Sequence, residues 1–176
     1  MPDSSAWFSD RARHAVMAAY QDAAGRGHDQ VGTRHMLLAL LYDEGCAAQR
    51  SLADLGVTYA AADDRVGFLS MEYCPSYPWF DHGTRGALDY ALREADGLVG
   101  TGQILQGVLR DRSGSGPHLL KMMKVDPTPV LRQPLLTEAP ASVPYPLPVF
   151  DDERGRRTVN EIERLLMARV EAATTE

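Results

Sequence analysis

The side chains in this sequence that could do chemistry are few and scattered. His28 and His35, with Asp29 beside the first, come nearest to a metal-ligand set. Zinc needs three or four convergent donors, whereas one of these histidines falls in a loop and the other one turn into a helix. That placement predicts a structural role for His35 and no bound metal. Ser113-Gly-Ser-Gly-Pro117 sets serine among glycines, but no strand precedes it as a nucleophile elbow requires, and it reads as a flexible loop. Cys46 could act as a nucleophile only with a basic partner, and none of the five histidines stands in a motif with it. Cys46 and Cys74 lie outside any CxxC pattern and read as reduced thiols of a cytosolic protein. No G-x-x-x-x-G-K-[ST] occurs, and no Gly-Lys pair at all, so nothing cradles a triphosphate. Met71, Met122 and Met123 read as fillers of core gaps. These residue types predict a protein that is not an enzyme and holds no cofactor.

The elements that carry these residues are helical nearly throughout. At 176 residues and 44% hydrophobic, the chain can bury one good core. A formal charge of −6 argues against a nucleic-acid partner, which demands a basic face. No apolar run approaches a membrane span, and the N-terminus lacks a basic segment ahead of a hydrophobic one, which predicts a soluble, cytoplasmic protein. Only Lys121 and Lys124 among the 18 basic residues are lysines; the bias to Arg and Ala fits a GC-rich bacterial genome. Ser9 or Asp10 caps a helix to about Arg26, with Ala12, Ala15, Val16, Ala19 and Ala23 on its inner stripe. Thr33 caps a second helix bearing Met36, Leu37, Leu40 and Leu41 on one face. Helices over 47–55 and 59–69 follow, then the two-proline connector Cys74-Pro-Ser-Tyr-Pro-Trp79, which a helix rarely survives. Four more helices are expected over 81–96, 101–111, 118–124 and 128–136, the last weakened by Pro129 and Pro134.

The two halves are copies. Phe8-Ser-Asp-Arg-Ala-Arg-His-Ala-Val-Met leads to Gly32-Thr-Arg-His-Met-Leu-Leu-Ala-Leu-Leu, and Phe80-Asp-His-Gly-Thr-Arg-Gly-Ala-Leu-Asp leads to Gly100-Thr-Gly-Gln-Ile-Leu-Gln-Gly-Val-Leu. The Phe anchors lie 72 residues apart and the Gly-Thr pairs 68, so the second copy is about four residues shorter between them. A duplicated helical unit stacks its halves into a shared face, which points to binding.

These residues also carry a resemblance. Phe-Ser-x-Arg-Ala-Arg followed by Gly-Thr-x-His-Met-Leu-Leu-x-Leu-Leu, and then a second copy, resembles the N-terminal domain of Clp ATPases, most nearly the ClpC-type branch. The resemblance covers about residues 7–136 and is stronger in the first copy; Gly102-Gln103 replaces the usual acidic-His pair in the second. It implies an all-α bundle of two pseudo-symmetric four-helix repeats, about 7–70 and 79–136, within a domain 1–136. It also implies docking of Clp substrates, adaptors and peptides without catalysis. A four-proline linker over 137–154 and an amphipathic helix over 155–176 are expected to follow, the helix packing on its own domain or serving self-association.

The resemblance further places Phe8, Arg13, Phe80, Arg85 and Asp89 around a shared ligand groove, with the two rings as apolar anchors. The alternative is that both rings are hydrophobic staples closing the first turns of their helices. Trp7, Tyr73, Tyr77 and Trp79 crowd the same ends of the copies. ClpC-type domains also recognise phosphorylated arginine through the acidic residue of a Gly-Thr-Glu-His motif in each copy. Arg34 and Gly102 occupy those positions here, which predicts that this recognition is lost. Two functions follow as expectations: regulation of a Clp protease by competing for its substrates or adaptors, and sequestration of cyclic peptide antibiotics that target the ClpC-type domain.

Overall fold

A computed structural model of the chain describes residues 8–67 and 78–134. The expected Pro-rich linker and C-terminal helix lie outside the described residues, as do Trp7, Met71, Tyr73, Cys74 and Tyr77. The first half contains α1 (Asp10–Gly25), β1 (Gln30–Val31), α2 (Thr33–Tyr42), α3 (Ala47–Asp54) and α4 (Tyr59–Val66). The second repeats the order with β2 (Trp79–Phe80), α5 (His82–Glu94), α6 (Thr101–Arg110), α7 (Ser115–Met122) and α8 (Thr128–Arg132). Among the described residues the fold is thus all-α but for two very short strands.

Local chemistry sets most of the helix ends. Ser9 caps α1 through its hydroxyl to Ala12 N, Thr58 caps α4, and Asp81 caps α5. Cys46 caps α3: its sulfur accepts from Gln49 N at 3.3 Å while its thiol donates to Leu40 O at 3.4 Å. Gly27 and Gly56 take the left-handed conformation just past α1 and α3, at φ 69° and 77°. Two expectations are corrected here. Thr33 is the first residue of α2 and Gly32 is its cap, which frees the Thr33 hydroxyl for another bond. And α7 begins at Ser115, inside the stretch read as a flexible loop, because Pro117 in the first turn gives up only an N–H that has no helical partner.

α2 and α6 form the centre. Thr33 and every residue from His35 to Leu41 are buried, all the way round α2, because α1, α3, α4, α5, α6 and α7 surround it. The one-sided face expected from its spacing is therefore corrected to full burial. α6 runs closest to α5: a β-carbon on Gly107 would sit 2.3 Å from the Ala87 carbonyl oxygen, so only glycine permits that approach.

The halves are joined crosswise. Val31 of β1 pairs in parallel with Phe80 of β2, and Phe8 bridges in parallel to Val99. Asp81 N donates to Val31 O at 3.0 Å, and Ser9 N donates to Val99 O at 2.8 Å. The opening Phe of each repeat thus pairs with the Val that precedes Gly-Thr in the other. The threonines repeat the exchange: Thr33 Oγ1 accepts from Gly116 N at 2.8 Å and Thr101 Oγ1 from Ala48 N at 3.2 Å. Each threonine satisfies an otherwise unpaired N–H in the first turn of a helix of the other repeat.

Candidate functional site

Of the five residues expected to line a groove, the two rings are elsewhere. Phe8 is 3% exposed and Phe80 8%, both within the core, and the Phe80 ring lies 6.4 Å from that of Tyr20. As ligand anchors they are corrected: the crosswise strand pairs turn both rings inward, where burial of apolar area holds the repeats together. Arg13 is half-buried and lies 3.9 Å from Asp10 in an ion pair; Arg85 is exposed and Asp89 half-buried, both on α5. The aromatic residue that faces solvent beside the pairing is Trp79, 61% exposed, and Leu98 is exposed next to the other pairing.

The structure instead brings together a pocket of about 210 Å³ at the seam between repeats, lined by His28, Asp29, Gln30, Gly32, Arg34, Asp81 and Ser115. It sits where α2, α5 and α7 begin. Arg34 N donates to Ser115 Oγ at 3.1 Å, so a residue of the second repeat closes a wall built by the first. Gly32 keeps that wall tight: a β-carbon there would lie 2.8 Å from Ser115 Oγ and 3.1 Å from Asp81 Oδ2. Burial depresses the basicity of Arg34, with Asp81 acting against that and Arg26 adding to it.

Behind the pocket runs a buried polar chain. His35 Nδ1 lies 2.8 Å from Asp22 Oδ2, and His35 Nε2 lies 3.0 Å from His28 Nδ1. The carboxylate can only accept, so His35 carries its proton on Nδ1 and presents a lone pair at Nε2. For the bond between the two rings His28 donates from Nδ1, which leaves His28 Nε2 a lone pair, buried and without a partner. Burial, reinforced by the charges of Arg34, His35 and Arg26, pushes His28 down to about 4. His35 is also lowered, by burial, with Asp22 pulling the other way. Asp22 stays ionised because hydrogen bonds from His35 and Arg26 overcome its burial. Arg26 in turn reaches both Asp22 and Asp63. The two histidines singled out in the sequence do meet, but Arg34 fills the space beside them, its Nη2 3.3 Å from His28 Nδ1 and its Nε 3.4 Å from His35 Nε2. Among the described residues no group of three or more histidine, cysteine or carboxylate side chains gathers to hold a metal.

Residues 7–73 match the model of the Clp repeat (R) N-terminal domain. The chain thus matches the Clp repeat family in its first half. It is similar in sequence to a ClpA homolog, an ATP-binding subunit of the ATP-dependent Clp protease, from Guillardia theta, at 28% identity over 134 residues. It is also similar to the chloroplastic chaperone ClpC2 of Oryza sativa subsp. japonica, at 26% over 134 residues. These alignments cover 72% of this chain but only 16% and 14% of the relatives, so the chain spans a small fraction of their length. The described fold is similar to the crystal structure of the N-terminal domain of the caseinolytic protease associated chaperone ClpD from Arabidopsis thaliana. The TM-score is 0.60 at 21% identity, covering 71% of this chain and 92% of that one. Among the described residues no helix is long and apolar enough to cross a membrane.

Sequence reasoning singled out His28 and Asp29 only as a rejected metal set and Arg34 only as a lost phosphoarginine position, and it missed Gln30, Gly32, Asp81 and Ser115 as pocket residues. A signal for Ser115 was present: Gly116 stands 68 residues after Ala48, and each approaches the threonine of the opposite repeat.

Proposed function

We propose that this chain is a non-enzymatic protein- and peptide-binding module of the ClpC docking type that works in the cytoplasm and regulates or competes with a Clp chaperone–protease system. The observation that carries this reading is the seam pocket. It presents the Arg34 guanidinium, the Asp29 and Asp81 carboxylates, the His28 imidazole and the Ser115 hydroxyl, drawn from both repeats, and such a set orients a ligand. The names of the relatives point to the Clp system as the place where the ligand is found. Clp substrates and adaptors are the expected occupants, and self-association through the segment 155–176 belongs to the same proposal.

Phosphoarginine is not among the ligands. Arg34, half-buried in the pocket wall, sets a positive charge where the resemblance places an acid for the guanidinium, and Gly102 has no side chain to offer. Calorimetric titration of free phosphoarginine into the protein should give no binding heat, while Arg34→Glu should gain it. A micromolar isotherm for the wild type overturns this part of the reading. A second reading, sequestration of cyclic peptide antibiotics, is favoured by one observation: exposed Trp79 and Leu98 flank the two crosswise pairings and offer apolar area to a macrocycle. Fluorescence anisotropy with a labelled cyclic peptide of this class, run on Trp79→Ala and wild type, tests it; equal or absent binding in both removes the second reading.

A further inference from the structure

The buried chain Asp22–His35–His28 exists in one repeat only. The counterpart of Asp22, 72 residues on, is Glu94; those of His28 and His35, 68 on, are Asp96 and Gln103. Gln103 spends its side chain on Gly100 N, at 2.9 Å. In the first repeat the chain fastens residues 26–32 to α1 through Asp22 and to α2 through His35. That loop carries β1. Its Val31 carbonyl accepts from Asp81 N at 3.0 Å and from Thr84 Oγ1 at 2.9 Å, and its Asp29 carbonyl accepts from Trp79 N at 2.9 Å. It also supplies His28, Asp29, Gln30 and Gly32 to the pocket wall.

The chain closes only with both rings neutral. A second proton on His28 would sit at Nε2, buried with no acceptor. A second proton on His35 would sit at Nε2 and face the His28 Nδ1–H across 3.0 Å. The charged groups around the rings come from every packed element: Asp22 and Arg26 on α1, Asp29 in the loop, Arg34 on α2, Asp63 on α4 and Asp81 at the start of α5. Asp22 is already shared between His35 and Arg26, and both arginines oppose a further positive charge.

The geometry points to a proton-operated latch: acidification releases the 26–32 loop, unpairing β1 from β2 and opening the seam pocket, while the rest of the helical body stays folded. His28 sits near 4 when latched, against an ordinary 6.5 when released. Its depressed value means the latch is fully closed above about pH 6.5 and weakens as pH falls toward 4. Across that window the released loop binds a proton that the latched one refuses, so each pH unit favours opening about tenfold. This inference stands apart from the ligand proposed above.

The test uses the whole chain and a control built into the fold. The Trp79 and Asp81 amides report the pairing held by the latch, and the Ser9 amide, bonded to Val99 O, reports the equivalent pairing without histidines. Hydrogen exchange is followed by NMR from pH 7 to 5 and corrected for its intrinsic pH dependence. Protection at Trp79 and Asp81 should fall about tenfold per pH unit below about 6.5 relative to Ser9. His28→Gln should abolish that slope. Parallel loss at Asp81 and Ser9, or a His28 side chain titrating at its ordinary value in the folded protein, overturns the latch. The wild-type comparison is decisive by itself even where the variant folds poorly.

Discussion

Phe80 and Trp79 are neighbours in β2 with opposite fates, and truncating each in turn tests the crosswise fold. The Phe80 ring is 8% exposed and packs beside Tyr20, while Trp79 is 61% exposed. Phe80→Ala removes a buried ring at the seam between repeats and leaves a cavity, which costs about 3–5 kcal/mol. For a domain of this size that lowers the melting temperature by roughly 10–20 °C. Trp79→Ala removes solvent-facing area and should move stability by about 0.5 kcal/mol or less. Phe8→Ala should behave like Phe80→Ala, because Phe8 holds the mirror position against Val99. Thermal unfolding followed by circular dichroism reads all three. If Phe80→Ala melts close to the wild type, the ring does not hold the repeats together and the reasoning from burial fails.

Thr33→Val leaves the Gly116 N–H buried and unpaired and should cost about 1–3 kcal/mol, and Thr101→Val should do the same through Ala48 N. Denaturant titration measures both, and a neutral effect at either would contradict the exchange of hydrogen bonds between repeats. Overall stability should fall as pH drops from about 6.5 toward 4, since His28 resists protonation when folded and accepts it when unfolded. The expected loss across that range is about 3 kcal/mol from this residue. Denaturant midpoints measured at pH 7 and pH 4.5 check it, with His28→Gln removing most of the difference.

Much of this fold was legible because the duplication is written in hydrophobic spacing and turn residues. Ala12, Ala15, Val16, Ala19 and Ala23 all lie buried on α1 as their spacing requires, and the helix ends follow Ser9, Gly27, Thr58 and Asp81. Local signals could not show the crosswise assembly, because each partner bond joins residues 50 or more positions apart. Nothing near Thr33 announces that its hydroxyl will serve Gly116, 83 residues away. The aromatic anchors were misjudged for a related reason: an aromatic ring before a helix cap looks the same whether it faces a ligand or a second repeat. Erosion of the second copy was visible but its consequence was not. Arg11 bonds Asp43 at 2.8 Å in the first repeat; the equivalent pair is Gly83 and Asp111, and Asp111 turns to Ser113 instead. The polar chain behind the pocket likewise required three residues whose separation in sequence carries no period.

The central claim, a docking module acting on a Clp system, is tested most directly by degradation of fluorescein-labelled casein by a ClpC-type ATPase and its protease with increasing amounts of the full chain. The account predicts that the chain slows degradation in proportion to its concentration. A Trp79→Ala, Arg34→Ala double variant that melts like the wild type should slow it far less. An unchanged rate at a large excess of the chain, or equal inhibition by the double variant, would contradict it.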